Sequence, residues 1–168
     1  MTGARRRQKL KLCNLAAALA IVVLAGPAVV RLPASAATTE RIVVHTLSGL
    51  ALGGFDPVAY FTDRTPQLGN GAHEATYRGV VWRFRNEGNQ AAFVRNPDVY
   101  LPGFGGYDPV AVARGVAVPG HPLVWLVSGN RLYLFSTPEN RAAFAAQTQQ
   151  IIAAAVHHWP DVAAKLVP

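Results

Sequence analysis

The segment Gly53-Gly-Phe-Asp-Pro-Val-Ala59 recurs 52 residues later as Gly105-Gly-Tyr-Asp-Pro-Val-Ala111. A second match follows each copy, because residues 81–93 align with residues 132–144 at an offset of 51 and share Phe, Asn and Ala-Ala-Phe positions. Two matched blocks in the same order indicate an internal duplication. We therefore expect two tandem half-units, about 53–104 and 105–160, which pack face to face into one core, because two copies are too few for a solenoid.

Each half-unit carries signals for a helix start and for a hairpin. Asp56-Pro57 and Asp108-Pro109 place a capping carboxylate before a proline that suits the first helical position, so each predicts a short helix. Arg78-Gly79 and Ser128-Gly129-Asn130 predict the turns of two antiparallel hairpins. The strands that they join are predicted at residues 75–77, 80–85, 123–127 and 132–135.

A covering helix is predicted after each hairpin. The first runs from about Glu87 and ends before Asn96-Pro97, because the residue that precedes a proline avoids helical geometry. The second starts at Thr137-Pro138 and continues to about His158, where Pro160 breaks or kinks it. These elements predict a compact α+β single domain of two half-units, each with a short helix, an antiparallel β-hairpin and a covering helix.

The positive charge of the chain is concentrated at its N-terminus. The formal net charge is +7, yet residues 1–36 hold six basic residues and no acidic one, which leaves ten basic and nine acidic residues from Ala37 onward. Nine of those ten are arginines scattered along the sequence, so the basic stripe of a nucleic-acid-binding protein is missing. Nucleic acid is therefore excluded as a partner.

The first 36 residues have the pattern of a secretory signal peptide. A basic segment precedes an apolar run over residues 12–30, and Ala34-Ser35-Ala36 then predicts cleavage between Ala36 and Ala37. The alternative is an uncleaved anchor, because the run approaches the length that spans a bilayer. We expect a periplasmic or secreted protein, with a lead-in segment at 37–52 that includes a strand at 42–46.

The mature chain contains no sulfur ligand, since Cys13 and Met1 are the only cysteine and methionine. A Cys-ligated metal is therefore excluded, and any divalent metal would need nitrogen or oxygen ligands. No nucleophile motif or phosphate-binding glycine loop is present, so we expect no nucleotide and favour a non-catalytic protein. Haem is not expected either.

Several stretches resemble the YHS family, whose members include small exported bacterial proteins and domains appended to some metal-transport ATPases and oxygenases. The resemblance covers most of residues 53–160, and it implies a YHS-like domain over residues 53–168 and a link to heavy-metal handling. The stretches are Gly54–Phe61, Tyr77–Phe84, Asn89–Phe93, Asn96–Tyr100, Gly105–Tyr107 and Arg131–Phe135.

The chain departs from that family at its cysteines. Asp108 stands where relatives carry a cysteine after Gly-Gly-Tyr, and Arg85 and Asn89 stand where metal-associated members carry a cysteine pair. A thiolate-based metal role is therefore not carried over to this sequence.

Two candidate site residues, His73 and His121, lie in connecting segments, where binding residues concentrate. His73, His121 and Asp108 are candidate metal ligands, and Tyr60, Tyr107, Asp108 and His121 are candidate ligand-binding residues. The aspartates have the alternative role of helix caps, and the tyrosines that of packing beside glycine-rich loops.

Three functions remain open at this point. The first is an exported binding or accessory domain for a small ligand, an N/O-coordinated metal or an envelope partner. The second is a purely structural or interaction module that has lost the metal ligands of the family. The third is an enzyme, which would need a histidine close to Asp56 or Asp108 in a cleft between the half-units.

Overall fold

A computed structural model describes residues 42–166, and the predicted α+β fold of two half-units is confirmed. The predicted cleavage site between Ala36 and Ala37 lies outside the described residues. Within residues 42–166, no helix is both long and apolar enough to cross a membrane. The helices are α1 (Ala59–Thr62), α2 (Glu87–Arg95), α3 (Pro97–Tyr100), α4 (Pro109–Val112), α5 (Pro138–Ala146) and α6 (Thr148–Ala164). The strands are β1 (Asn70–Tyr77), β2 (Val80–Phe84), β3 (His121–Ser128) and β4 (Arg131–Phe135).

The two hairpins are built alike. Strands β1 and β2 pair antiparallel, as do β3 and β4, and a two-residue turn joins each pair. Both turn residues have positive φ in each case, 53° at Arg78 and 76° at Gly79, 56° at Gly129 and 57° at Asn130. This geometry defines type I′ turns, whose twist matches that of the strands.

The repeated glycines are required by the backbone that precedes each Asp-Pro pair. The chain forms a 3₁₀ turn at Leu52–Gly54 and another at Gly103–Gly106, and φ is positive at both glycines of each Gly-Gly pair. Glycine reaches this left-handed region without the steric penalty that a Cβ brings. The recurrence of Gly-Gly is therefore a recurrence of backbone conformation.

A core shared by the half-units confirms part of the expected packing. Side chains from β2 and α2 meet Leu132 and Leu134 from β4, all of them almost fully buried. The packing differs from the expectation of a single core, because a second cluster forms under α5 and α6 within the later half-unit. Its fully packed members are Val110, Tyr133, Phe135 and Phe144.

Two sequence predictions about elements were wrong. Residues 42–46 form no strand, since Val44 makes only an isolated bridge to Ala51. The helix predicted from Thr137 to about His158 is interrupted at Gln147, where φ is −135° and ψ is 39°. Asn96, its equivalent in the first half-unit, separates α2 from α3 in the same way.

Pro160 does not end the last helix, because α6 continues to Ala164. Proline removes a hydrogen bond to the carbonyl four residues earlier, which here belongs to Val156. Val156 is 59% exposed, so this turn of the helix lies at the surface. Val162 is buried beyond the proline and holds the last turn against the domain.

Candidate functional site

Asp56 is fully buried and joins two parts of the first half-unit. Its Oδ1 accepts a hydrogen bond from the Val58 amide at 2.8 Å, at the start of the α1 region. Its Oδ2 accepts from the Arg85 amide at 2.9 Å and from Asn89 Nδ2 at 2.6 Å. The carboxylate therefore fixes the short helix to the junction between β2 and α2.

Asp108 repeats this arrangement in the second half-unit and is also fully buried. Its Oδ1 accepts from the Val110 amide at 2.9 Å and caps α4. Its Oδ2 accepts from the Ser136 amide at 2.8 Å, from Ser136 Oγ at 2.6 Å and from Asn140 Nδ2 at 2.7 Å. Burial and internal donors occupy the carboxylate, so the structure shows Asp108 in the helix-capping role that the sequence offered as the alternative to ligand or metal binding.

His121 has a backbone role that the sequence did not reveal. It stands at the position equivalent to Asn70, whose Oδ1 accepts a hydrogen bond from the Ala72 amide at 2.7 Å. His121 Nδ1 accepts from the Leu123 amide at 3.1 Å in the same way. Since Nδ1 is the acceptor, the proton of the neutral ring lies on Nε2, which can then act as a hydrogen-bond donor.

A cleft of about 560 Å³ lies where the lead-in segment and first 3₁₀ turn face the start of β3. We call it the His45–His121 cleft, because both imidazoles line it. Its other walls are mostly apolar, and Leu123 on its rim is 55% exposed. The cleft is also lined by Leu52, Phe55 and Pro122.

Tyr60 holds one wall of this cleft in place. Its hydroxyl donates to the Pro122 carbonyl at 3.0 Å, and its ring meets the edge of Trp125 at a centroid distance of 5.3 Å. Burial raises the pKa of Tyr60 well above its ordinary value, and the negative charge of Asp56 adds to the shift. The phenol therefore stays protonated. The sequence predicts Tyr60 as a ligand contact, and the structure shows it buried, where it positions Pro122.

The other predicted site residues are not brought together as a metal centre. No group of three His, Cys, Asp or Glu side chains in the described part of the chain lies close enough to hold a metal ion. His73 lies half-buried in β1, and Tyr107 packs on Trp159 at a centroid distance of 6.1 Å. Of the predicted set, only His121 lines the His45–His121 cleft.

Sequence reasoning missed His45, the second imidazole of the cleft. It lies in the segment predicted as a strand, and its backbone amide donates to the Leu50 carbonyl at 3.0 Å in a turn. Its Nδ1 lies 3.4 Å from Ser48 Oγ. The spacing of the two histidines, 76 residues apart, carries no motif, so only the fold places them in one cleft.

Comparisons with family models, with characterised proteins and with solved structures find no match for this chain.

Proposed function

We propose that the protein is an exported, non-catalytic binding domain that takes a small, largely apolar ligand in the His45–His121 cleft. The observation that supports this most directly is the cleft itself, at about 560 Å³. Binding sites for small molecules commonly enclose roughly 300–1,000 Å³, with apolar walls and a few polar groups. The signal-peptide pattern of residues 1–36 supports the export part of the proposal.

The polar groups of the cleft define the chemistry of the ligand. His121 presents Nε2–H, because Nδ1 is engaged by the Leu123 amide. Leu52, Phe55 and Leu123 offer apolar surface to the body of the ligand. A small molecule with an apolar body and one hydrogen-bond acceptor, such as a carbonyl, matches this arrangement.

The resemblance to the YHS family fits an accessory domain in the cell envelope. Its heavy-metal association is not carried over to the cleft, because the cysteines of that family are replaced here by Asp108, Arg85 and Asn89. Two imidazoles can still contribute to a divalent metal site if a ligand or partner completes the coordination. Metal is therefore one outcome that the experiment below must distinguish.

The test is native mass spectrometry of the protein purified from its own host without tag or chelator. We expect a stoichiometric organic ligand bound to the wild type. The decisive variant is His121→Asn, because Asn70 shows that an amide oxygen at the equivalent position makes the same bond to the backbone. This variant keeps the local fold and removes the imidazole from the cleft.

A control variant is Asn70→His, which places an imidazole at the equivalent position of the first hairpin, away from the cleft. We expect ligand to be lost from His121→Asn and retained by Asn70→His, with similar melting temperatures. A metal in place of an organic mass, or an apo mass for wild-type protein that captures an envelope partner instead, would overturn the small-ligand proposal.

A further inference from the structure

A second concave surface lies between β4 and α6 of the later half-unit. This surface, which we call the Arg131 groove, encloses about 410 Å³. Aromatic rings and aliphatic side chains form most of it, with one guanidinium. Its lining residues used here are Phe104, Arg131, Tyr133, Ile152, Val156 and Trp159.

Tyr133 brings an unsatisfied polar group to this groove. Only 6% of the residue is exposed, yet its hydroxyl has no hydrogen-bond partner among residues 42–166. Burial raises the pKa of Tyr133, so the phenol remains a donor at neutral pH. The hydroxyl is only partly shielded from solvent where the residue lines the groove, so it is available to donate to a bound acceptor.

Arg131 supplies the charge. Within the part of the chain that the structure describes, its guanidinium makes no ion pair, and its field acts on the Tyr133 hydroxyl. Gly103 makes room for this pair, since a Cβ there would lie 2.6 Å from the Tyr133 ring and 3.3 Å from the Arg131 stem. An uncompensated guanidinium beside a phenol donor favours a carboxylate.

The walls select the rest of the ligand. Trp159 lies across Phe104 at a centroid distance of 5.6 Å, nearly perpendicular to it, and Val156 is 59% exposed. Rings and apolar side chains at the rim favour a flat or aromatic body. We propose that the Arg131 groove binds small carboxylic acids with an aromatic or apolar body, with the carboxylate between Arg131 and Tyr133.

The probe for this site is 3-phenylpropionate, and its neutral counterpart is 3-phenylpropanamide. Both compounds are titrated into the ¹⁵N-labelled protein, which is expressed as the full chain and purified after any processing by the cell. Binding is followed by the amide and indole resonances. We expect the acid to shift the Trp159 indole and the β4 amides, while Trp82, buried in the other core, does not move. The amide should bind at least tenfold more weakly, because it lacks the charge.

Two variants separate recognition from folding. Arg131→Gln should weaken binding of the acid by about tenfold, and Tyr133→Phe by about three- to tenfold. Tyr133→Phe should leave the melting temperature of the free protein unchanged or raise it, because it removes an unsatisfied hydroxyl. Arg114→Gln, an exposed arginine outside the groove, is the matched control and should bind like wild type.

This inference is independent of the proposed function, so His121→Asn should bind 3-phenylpropionate normally. Equal affinities for acid and amide, shifts centred on the His45–His121 cleft, or an equal loss in Arg114→Gln and Arg131→Gln would each overturn the proposal. Absence of any shift at high millimolar probe would overturn it as well.

Discussion

The two half-units share their backbone and differ in what they place upon it. Each has a Gly-Gly 3₁₀ turn, a buried aspartate, a type I′ hairpin and a helix that ends at an equivalent residue. Each hairpin also shifts register at the same place, between Asn70 and Glu74 and between His121 and Trp125. The cross-strand pair after this shift is Glu74–Arg83 in one and Trp125–Leu134 in the other.

This difference separates structural from functional roles. Asp56 and Asp108 repeat both the residue type and its bond to the backbone, whereas Asn70 and His121 repeat only the bond. The groups that diverge line the cleft and the groove, as Arg131 does where the first half-unit has Val80. Divergence on the repeated scaffold therefore coincides with the two concave surfaces that we propose bind ligands.

The largest effect is expected at the aspartates. Asp56→Ala and Asp108→Ala each leave several buried donors without an acceptor, so each should lower the free energy of unfolding by about 3–5 kcal/mol. Urea denaturation followed by circular dichroism measures this loss. The control is Asp161→Ala, at an exposed acid of α6, which should cost less than about 0.5 kcal/mol.

The equivalence of the two half-units would be contradicted if only one aspartate contributed strongly to stability. A large loss at Asp108 with a small one at Asp56 would mean that the first half-unit is held by other contacts, and that the repeated hydrogen bonds are not energetically equivalent.

The next effect concerns a glycine in each half-unit. A Cβ at Gly69 would lie 2.6 Å from the Arg83 backbone, and one at Gly120 would lie 2.5 Å from Leu134 Cβ. Gly69→Ala and Gly120→Ala should therefore each cost about 1–3 kcal/mol, as overpacked sites do. Thermal unfolding measures both variants.

Gly71→Ala is the matched control for these substitutions. Its Cβ would meet atoms only at 3.7 Å or more, so we expect a change within about 0.5 kcal/mol. A loss at Gly71 equal to that at Gly69 would attribute the effect to the loss of glycine itself rather than to the close approach.

Tyr60 gives a smaller effect that depends on pH. Tyr60→Phe removes the bond to Pro122 between the half-units and should cost about 1–2 kcal/mol at neutral pH. The pKa of Tyr60 is raised in the folded protein, so the unfolded chain loses its proton first, near pH 10. The stability that Tyr60 contributes is therefore fully present below about pH 10 and declines as the pH rises above it.

Urea titrations between pH 8 and 11 test this sign. The stability of wild-type protein should fall with pH more steeply than that of Tyr60→Phe, while Tyr100→Phe, at a half-buried tyrosine, should follow the wild type. A Tyr60→Phe slope equal to that of wild type would mean that Tyr60 does not carry the alkaline loss.

The sequence predicted the repeated parts of the fold well because local chemistry determines them. Turn residues with positive φ, the capping aspartates and the proline after Asn96 each act within a few residues. The α2 boundaries were confirmed for this reason. The missed helix break at Gln147 was available from the repeat itself, since it aligns with Asn96 at the offset of 51.

The candidate site was less predictable because it depends on contacts between distant segments. His45 and His121 meet only through packing of the lead-in segment on the second half-unit, where the Val43 amide donates to the Gly105 carbonyl. The second contact of each aspartate likewise reaches about 30 residues along the chain. The capping role of each aspartate could be predicted from the sequence, whereas these contacts with distant segments could not.

The smallest effect is expected at the cross-strand pair that distinguishes the hairpins. Arg83 Nε donates to Glu74 Oε1 at 2.6 Å, but both side chains are more than one-third exposed, so solvent screens the pair. A double-mutant cycle with Glu74→Gln and Arg83→Gln should give a coupling below about 1 kcal/mol, which salt reduces further. Leu134→Ala, at the buried equivalent of Arg83, should cost about 2–5 kcal/mol. If the coupling between Glu74 and Arg83 were as large as the loss at Leu134, charge rather than burial would stabilise the first hairpin. The two hairpins would then differ in how they are stabilised and not only in their surfaces.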